Sequence, residues 1–238
     1  MQQLPKEFIG RMVRTVLFIG LVAACCAGVA TFGMLVASKF NLTTSRNQVP
    51  LTSVKIEGEK VLIPENGKTT REAGWTLRNN RGLYILTLDE LEAGSKDTSD
   101  PVIEVEGDLI IQLKKDTVSH LESQGPVIKK GTGTLTIRGE GSLELESANA
   151  EAICSDWNGE ELDADHPSAV RLEAGDMNFT GADFGIVDET VELAGAQGTI
   201  EAASASGAAV KTAHIKREGS NSDKLELIGD TAVVTPEA

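Results

Sequence analysis

Ile103, Ile128 and Ile153 recur at intervals of 25 residues, and this spacing constrains the fold more than any other feature of the chain. Each follows a small residue or proline and opens the same degenerate segment: an apolar pair, a glycine-bearing turn and an alternating strand. Pro101-Val102-Ile103, Pro126-Val127-Ile128 and Ala152-Ile153-Cys154 are the openings. Similar openings follow at Ala169-Val170, Gly185-Ile186 and Ala209-Val210, at spacings of 17, 16 and 24 after Ile153. A unit this short, holding two or three strands, cannot bury its own apolar face. It must stack on its neighbours. Each strand then pairs in parallel with its equivalent one turn away, and alternate side chains fill a continuous interior. The expectation is an all-β, parallel β-helix over residues 53–235. A β-sandwich is the rival architecture, but a sandwich does not require a coil-length repeat.

Period-two parity assigns the interior. Ile103, Val105, Leu109, Ile111 and Leu113 should point inward, with Glu104, Glu106, Asp108, Ile110 and Gln112 outward. The same parity places Leu135, Ile137, Leu143, Leu145, Leu172, Phe179, Val191, Leu193, Ile200, Leu225 and Leu227 inside. Gly107, Gly131, Gly139, Gly175 and Gly195 are expected at corners that need special backbone angles. The last 190 residues contain only five aromatic side chains, so the core must be aliphatic.

Charge divides the chain. Residues 1–48 carry five basic groups and one acid, a sum of +4, while the remaining 190 carry 17 basic and 35 acidic groups, a sum of −18. Phosphate neutralisation needs clustered Lys and Arg, which excludes the acidic body as a general nucleic-acid binder. Residues 15–37 form a 23-residue run without a charge. That is long enough to cross a bilayer as a helix. Lys6, Arg11 and Arg14 precede it, so the basic segment 1–14 is expected in the cytoplasm and the body outside. Residues 38–52 read as a polar stalk. The expected localisation is therefore the cell membrane, by a single-pass anchor with an extracellular ectodomain. Two processing readings stand beside an uncleaved anchor: lipidation of Cys25 within Val22-Ala23-Ala24-Cys25, and a cleaved signal ending near Ala37. Cys25 and Cys26 lie inside the apolar run, leaving Cys154 alone outside it. The body is accordingly no disulfide scaffold.

One segment interrupts the repeat, Asp156-Trp157-Asn158-Gly159-Glu160-Glu161-Leu162-Asp163-Ala164-Asp165-His166, and reads as a loop leaving a corner of the coil. Asp156, Glu160, Asp163 and Asp165 offer hard oxygens to Ca²⁺, which takes six to eight such ligands. Their spacing is not that of an EF-hand, and a solvated acidic loop is the plainer alternative. Trp157, with Asn158 beside it, offers a flat apolar face to a sugar ring. Equally, Trp157 can close the loop over the coil. His120, His166 and His214 show no metal-ligand spacing. No nucleophile-elbow, phosphate-loop or zinc motif is present, so no catalytic residue is assigned. A lyase-like alternative would use Ca²⁺ and a basic residue from Lys129, Lys130, Arg138 or Arg171, all read as outward.

Gly74-Trp75-Thr76 followed by Tyr84-Ile85-Leu86-Thr87-Leu88, and Val105-Glu106-Gly107-Asp108-Leu109-Ile110-Ile111-Gln112-Leu113 with its loose copies at Gly131–Ile137 and Leu172–Met177, carry a resemblance. The pattern resembles the carbohydrate-binding-domain-containing proteins of bacterial surfaces over about residues 54–230. That resemblance implies a right-handed parallel β-helix and, as an activity, carbohydrate binding. The matched residues are turns and core positions, and none transfers as catalytic. The rungs after Ile153 are less regular than the family pattern, and aromatic residues are fewer. The expected function is carbohydrate binding or adhesion at the bacterial envelope, through an exposed sheet face and the Asp156–His166 loop. The second expectation is a structural protein that assembles end to end as a homo-oligomer through exposed end strands.

Overall fold

The computed structural model describes residues 48–95, 97–160, 168–194, 198–205, 208–218 and 225–234. Residues 48–238 form a compact unit of their own. The described elements are all strands, arranged as a β-solenoid of five coils with three sheets running along it. Among the described residues, no helix is long and apolar enough to cross a membrane. The expected anchor at 15–37 lies outside them.

The first coil runs Ile103–Glu106 on the first sheet, Leu109–Leu113 on the second and Val118–Ser123 on the third. The second runs Ile128–Lys130, Gly133–Gly139 and Ser142–Ser147, and the third Ile153–Ser155, Ser168–Leu172 and Asp176–Gly181. The fourth runs Ile186–Val187, Thr190–Leu193 and Gly198–Ser204, and the fifth Val210–Thr212, His214–Arg217 and Leu225–Ile228. All pair in parallel with their equivalents on adjacent coils.

The 25-residue interval is the length of one coil. Ile103, Ile128, Ile153, Ile186 and Val210 stand in register, one above the next. Ala169-Val170 is not a further opening. Val170 registers with Leu135 on the second sheet, so the third coil simply contains the long Asp156–His166 insertion. The apparent spacings of 17 and 16 are one enlarged coil.

Parity places the interior as expected. Val105, Leu109, Ile111, Leu113, Leu135, Ile137, Leu143, Leu145, Leu172, Phe179, Val191, Leu193 and Ile200 are buried in one continuous core, with Leu227 packed partly buried against it. The side chain of Leu225 lies outside the described ones. Lys130 is a correction: it shares the inward parity of Ile128 and is buried. Among the expected corner glycines, Gly107, Gly139 and Gly175 take positive φ. At Gly107 a Cβ would also stand 2.2 Å from the carbonyl oxygen of Pro50. Gly131 shows no positive φ, and Gly195 lies outside the described residues.

The two ends of the solenoid differ. At the N-terminal end, Ser53–Ile56 pairs antiparallel with Ile103–Glu106, and the hairpin Thr69–Glu72 with Trp75–Asn80 pairs antiparallel onto Leu83–Leu88. Parallel stacking starts only at Leu83–Leu88 and Glu92–Ser95. The expectation of a parallel helix from residue 53 is corrected here: Ser53–Ile56 covers the first-sheet edge of the first coil antiparallel, and the hairpin covers the edge of Leu83–Leu88. At the far end, His214–Arg217, Leu225–Ile228 and Thr231–Val233 are the last strands of their sheets. Ile215 is in register with the core residue Val191 yet 42% exposed.

Candidate functional site: the outer face of the third sheet

The third sheet carries an acidic ladder. Registration aligns Glu92, His120, Glu144, Asn178 and Glu201 in one outward column. The adjacent column holds Glu122, Glu146 and Thr180. Neighbouring rungs of a sheet lie about 4.8 Å apart. Each column is therefore a row of polar groups at a repeat set by the backbone. No Lys or Arg occupies these positions.

His120 sits within the carboxylates. Its Nδ1 lies 3.4 Å from a Glu144 carboxylate oxygen, and its Nε2 lies 3.8 Å from Glu122. His120, Glu122 and Glu146 each direct one ligand atom into a volume where all lie within 4.8 Å of one another. Among the described residues this is the one such constellation. One imidazole nitrogen and two carboxylates can serve a divalent cation as three ligands. The same groups can accept hydrogen bonds from hydroxyl or ammonium donors.

The expected loop site is arranged differently. Trp157 is buried: its ring packs with Val187 and Ala213, against Phe184 and Val234. Its indole N–H donates to the carbonyl of Glu160 at 2.6 Å, and its backbone N–H donates to Ser155 Oγ at 3.2 Å. Val187 lies on the outer side of the first sheet in register with Cys154. Trp157 thus packs over the outside of the later coils, and its ring offers no open face for stacking. Asn158 is exposed and bonds to Glu160, its Oδ1 accepting from the backbone N–H at 3.0 Å and its Nδ2 donating to the carboxylate at 3.4 Å. Asp156 stands 3.6 Å from Lys129 Nζ, so a cation already partners it. Glu160 is exposed, while Asp163, Asp165 and His166 lie outside the described residues.

The basic residues considered for lyase chemistry are also engaged. Arg171 reaches Glu173 at 2.9 Å, Glu192 at 3.1 Å and Glu218 at 2.8 Å. Burial acts to lower its pKa, but these carboxylates outweigh it and raise the pKa. Arg138 donates to Gln112 at 3.1 Å and faces Glu173 at 3.7 Å. The Cys154 thiol is pushed up to about 11, chiefly by burial and then by Glu151.

Sequence spacing failed to find the His120 cluster because Glu146 lies one coil beyond His120 and Glu122. The signal was present in the repeat: His120-Leu121-Glu122-Ser123 aligns with Glu144-Leu145-Glu146-Ser147, one coil later. No family model, no curated protein and no solved structure matches the chain.

Proposed function

We propose that this chain is a β-solenoid, right-handed as the resemblance implies, tethered to the bacterial cell membrane by residues 15–37, which binds cell-surface carbohydrate on the outer face of its third sheet. The observation that carries this reading is the acidic ladder of Glu92, His120, Glu122, Glu144, Glu146 and Glu201, set out at rung spacing. Sugar hydroxyls are donors that carboxylates can accept from. A flat row of acceptors suits an extended polymer better than a closed pocket does. The charge narrows the ligand class. A face without Lys or Arg on a body of net −18 repels phosphate- and carboxylate-bearing polymers and favours neutral or amine-bearing glycans. The 23-residue uncharged run and the basic residues ahead of it support the anchor. The test is retention of residues 48–238 on immobilised neutral, amine-bearing and anionic polysaccharides, with and without Glu144→Gln and Glu146→Gln.

A second reading is end-to-end assembly, favoured by the contrast between the antiparallel strands at the N-terminal end and the C-terminal end, where Ile215, Ile228 and Val233 are exposed on the last strands of the three sheets. Unpaired strand edges of this kind template pairing with another chain. Sedimentation of residues 48–238 over a range of concentrations tests it. Assembly predicts oligomers that Ile215→Lys suppresses, and a monomer at all concentrations would remove it.

A further inference from the structure

Lys130 and Asp188 meet inside the solenoid although they belong to the second and fourth coils. Lys130 is in register with Val105 below it and Ser155 above it. Asp188 directly follows Val187, which is in register with Cys154, so it occupies the Ser155 position one coil further on. Two rungs separate their backbones by roughly 10 Å. A lysine stem and an aspartate together span that gap only because the residue between them is a small serine.

The contact is close and dry. Lys130 Nζ lies 2.9 Å from Asp188 Oδ2, with the two side chains 2% and 0% exposed. The amine also donates to Ser168 Oγ at 2.5 Å and to the Gly131 carbonyl at 3.3 Å. Buried Glu189 accepts from the backbone N–H of Ser168 at 3.4 Å. Neither oxygen of Asp188 has a partner in hydrogen-bond geometry. The ammonium is in charge contact but lies off the directed-bond geometry. Burial pushes the Asp188 carboxyl pKa up, while the charge of Lys130 pulls against it.

We propose that Lys130 and Asp188 condense into an intramolecular amide that cross-links the second coil to the fourth. Holding both charges in this interior is costly. Passing one proton from the ammonium to the carboxylate removes both charges. It leaves a neutral amine facing a neutral carboxylic acid, the two forms that react. The amine lone pair attacks Asp188 Cγ and forms the C–N bond. A proton leaves the nitrogen, a proton reaches the departing hydroxyl, the C–O bond breaks and one water is released. No oxidant, metal or further reactant is consumed. Ser168 is placed as a positioning residue, since its hydroxyl holds the amine. Fixing the two groups in contact supplies the effective concentration that such a condensation needs in water. The product exchanges a buried ion pair for a neutral amide. It also spans the coil that carries the Asp156–His166 insertion, where the repeat is least regular.

Mass mapping of proteolytic peptides from the purified, folded full chain tests this. The expected result is one branched peptide containing both Lys130 and Asp188, lighter by one water than the sum of its two parts. Lys130→Arg keeps the charge but has no amine to form the bond, and its peptides should show their full masses. Asp188→Asn should form the same branched peptide with loss of ammonia. Unbranched Lys130 and Asp188 peptides from folded wild-type chain would overturn the proposal. So would a water loss that persists in Lys130→Arg.

Discussion

The indole N–H of Trp157 donates to the carbonyl of Glu160 at 2.6 Å, three residues ahead in the same loop. This bond and the packing on Val187 and Ala213 make Trp157 a strut holding residues 156–160 to the later coils. Trp157→Ala should cost about 3 kcal/mol, in the range for truncating a buried aromatic. Thermal unfolding of residues 48–238 measures that loss. Binding to polysaccharide below the melting temperature should survive the substitution, because the third-sheet ladder does not include Trp157.

Arg171 joins Glu173, Glu192 and Glu218 across three coils, and Glu192 is fully buried. Arg171→Ala should destabilise the unit by about 3 kcal/mol, since it removes a principal cation from a buried carboxylate. Arg171→Lys should recover only part of this, because an ammonium cannot reproduce the planar fork. Chemical denaturation of the three proteins gives the order directly.

Cys154 should resist alkylation at neutral pH, because its pKa of about 11 leaves almost no thiolate. The same shift has a stability consequence. Between the ordinary value of 9.0 and about 11 the folded chain keeps a proton that the unfolded chain has lost. Stability should therefore fall as pH rises through this window, by up to about 3 kcal/mol. Cys154→Ala should remove that component. An identical slope in the variant would assign the loss to other groups.

The cation capacity of His120, Glu122 and Glu146 is separable from sugar binding. If a divalent ion organises the face, chelator should lower both the melting temperature and polysaccharide retention of the wild type, and neither in His120→Ala. If carboxylates alone accept the sugar hydroxyls, chelator should leave retention unchanged. Calorimetric titration with Zn²⁺ and Ca²⁺ checks the ion itself.

Much of the solenoid was legible in the sequence. The interval between Ile103, Ile128 and Ile153 is one coil, and the residues that period two assigns inward from Ile103 to Ile200 are buried in the core, because stacking forces equivalent residues into register. Four features were not legible, each for a physical reason. Val54 and Ile56 alternate like coil residues, yet their strand runs antiparallel, since alternation reports burial and not strand direction. Lys130 has inward parity, but its charge argued for the surface, and its partner Asp188 lies two coils away. The loop looked like a site because acids and a tryptophan are consecutive there. The His120 constellation is assembled from separate coils and emerges only once the repeats are aligned by register.

Retention of residues 48–238 on neutral and amine-bearing polysaccharides tests the functional account most directly. The account predicts binding to one of these classes, no binding to anionic polymers, and loss of binding in the folded Glu144→Gln, Glu146→Gln double variant. Failure to bind any polysaccharide, or undiminished binding by a correctly folded double variant, would contradict it.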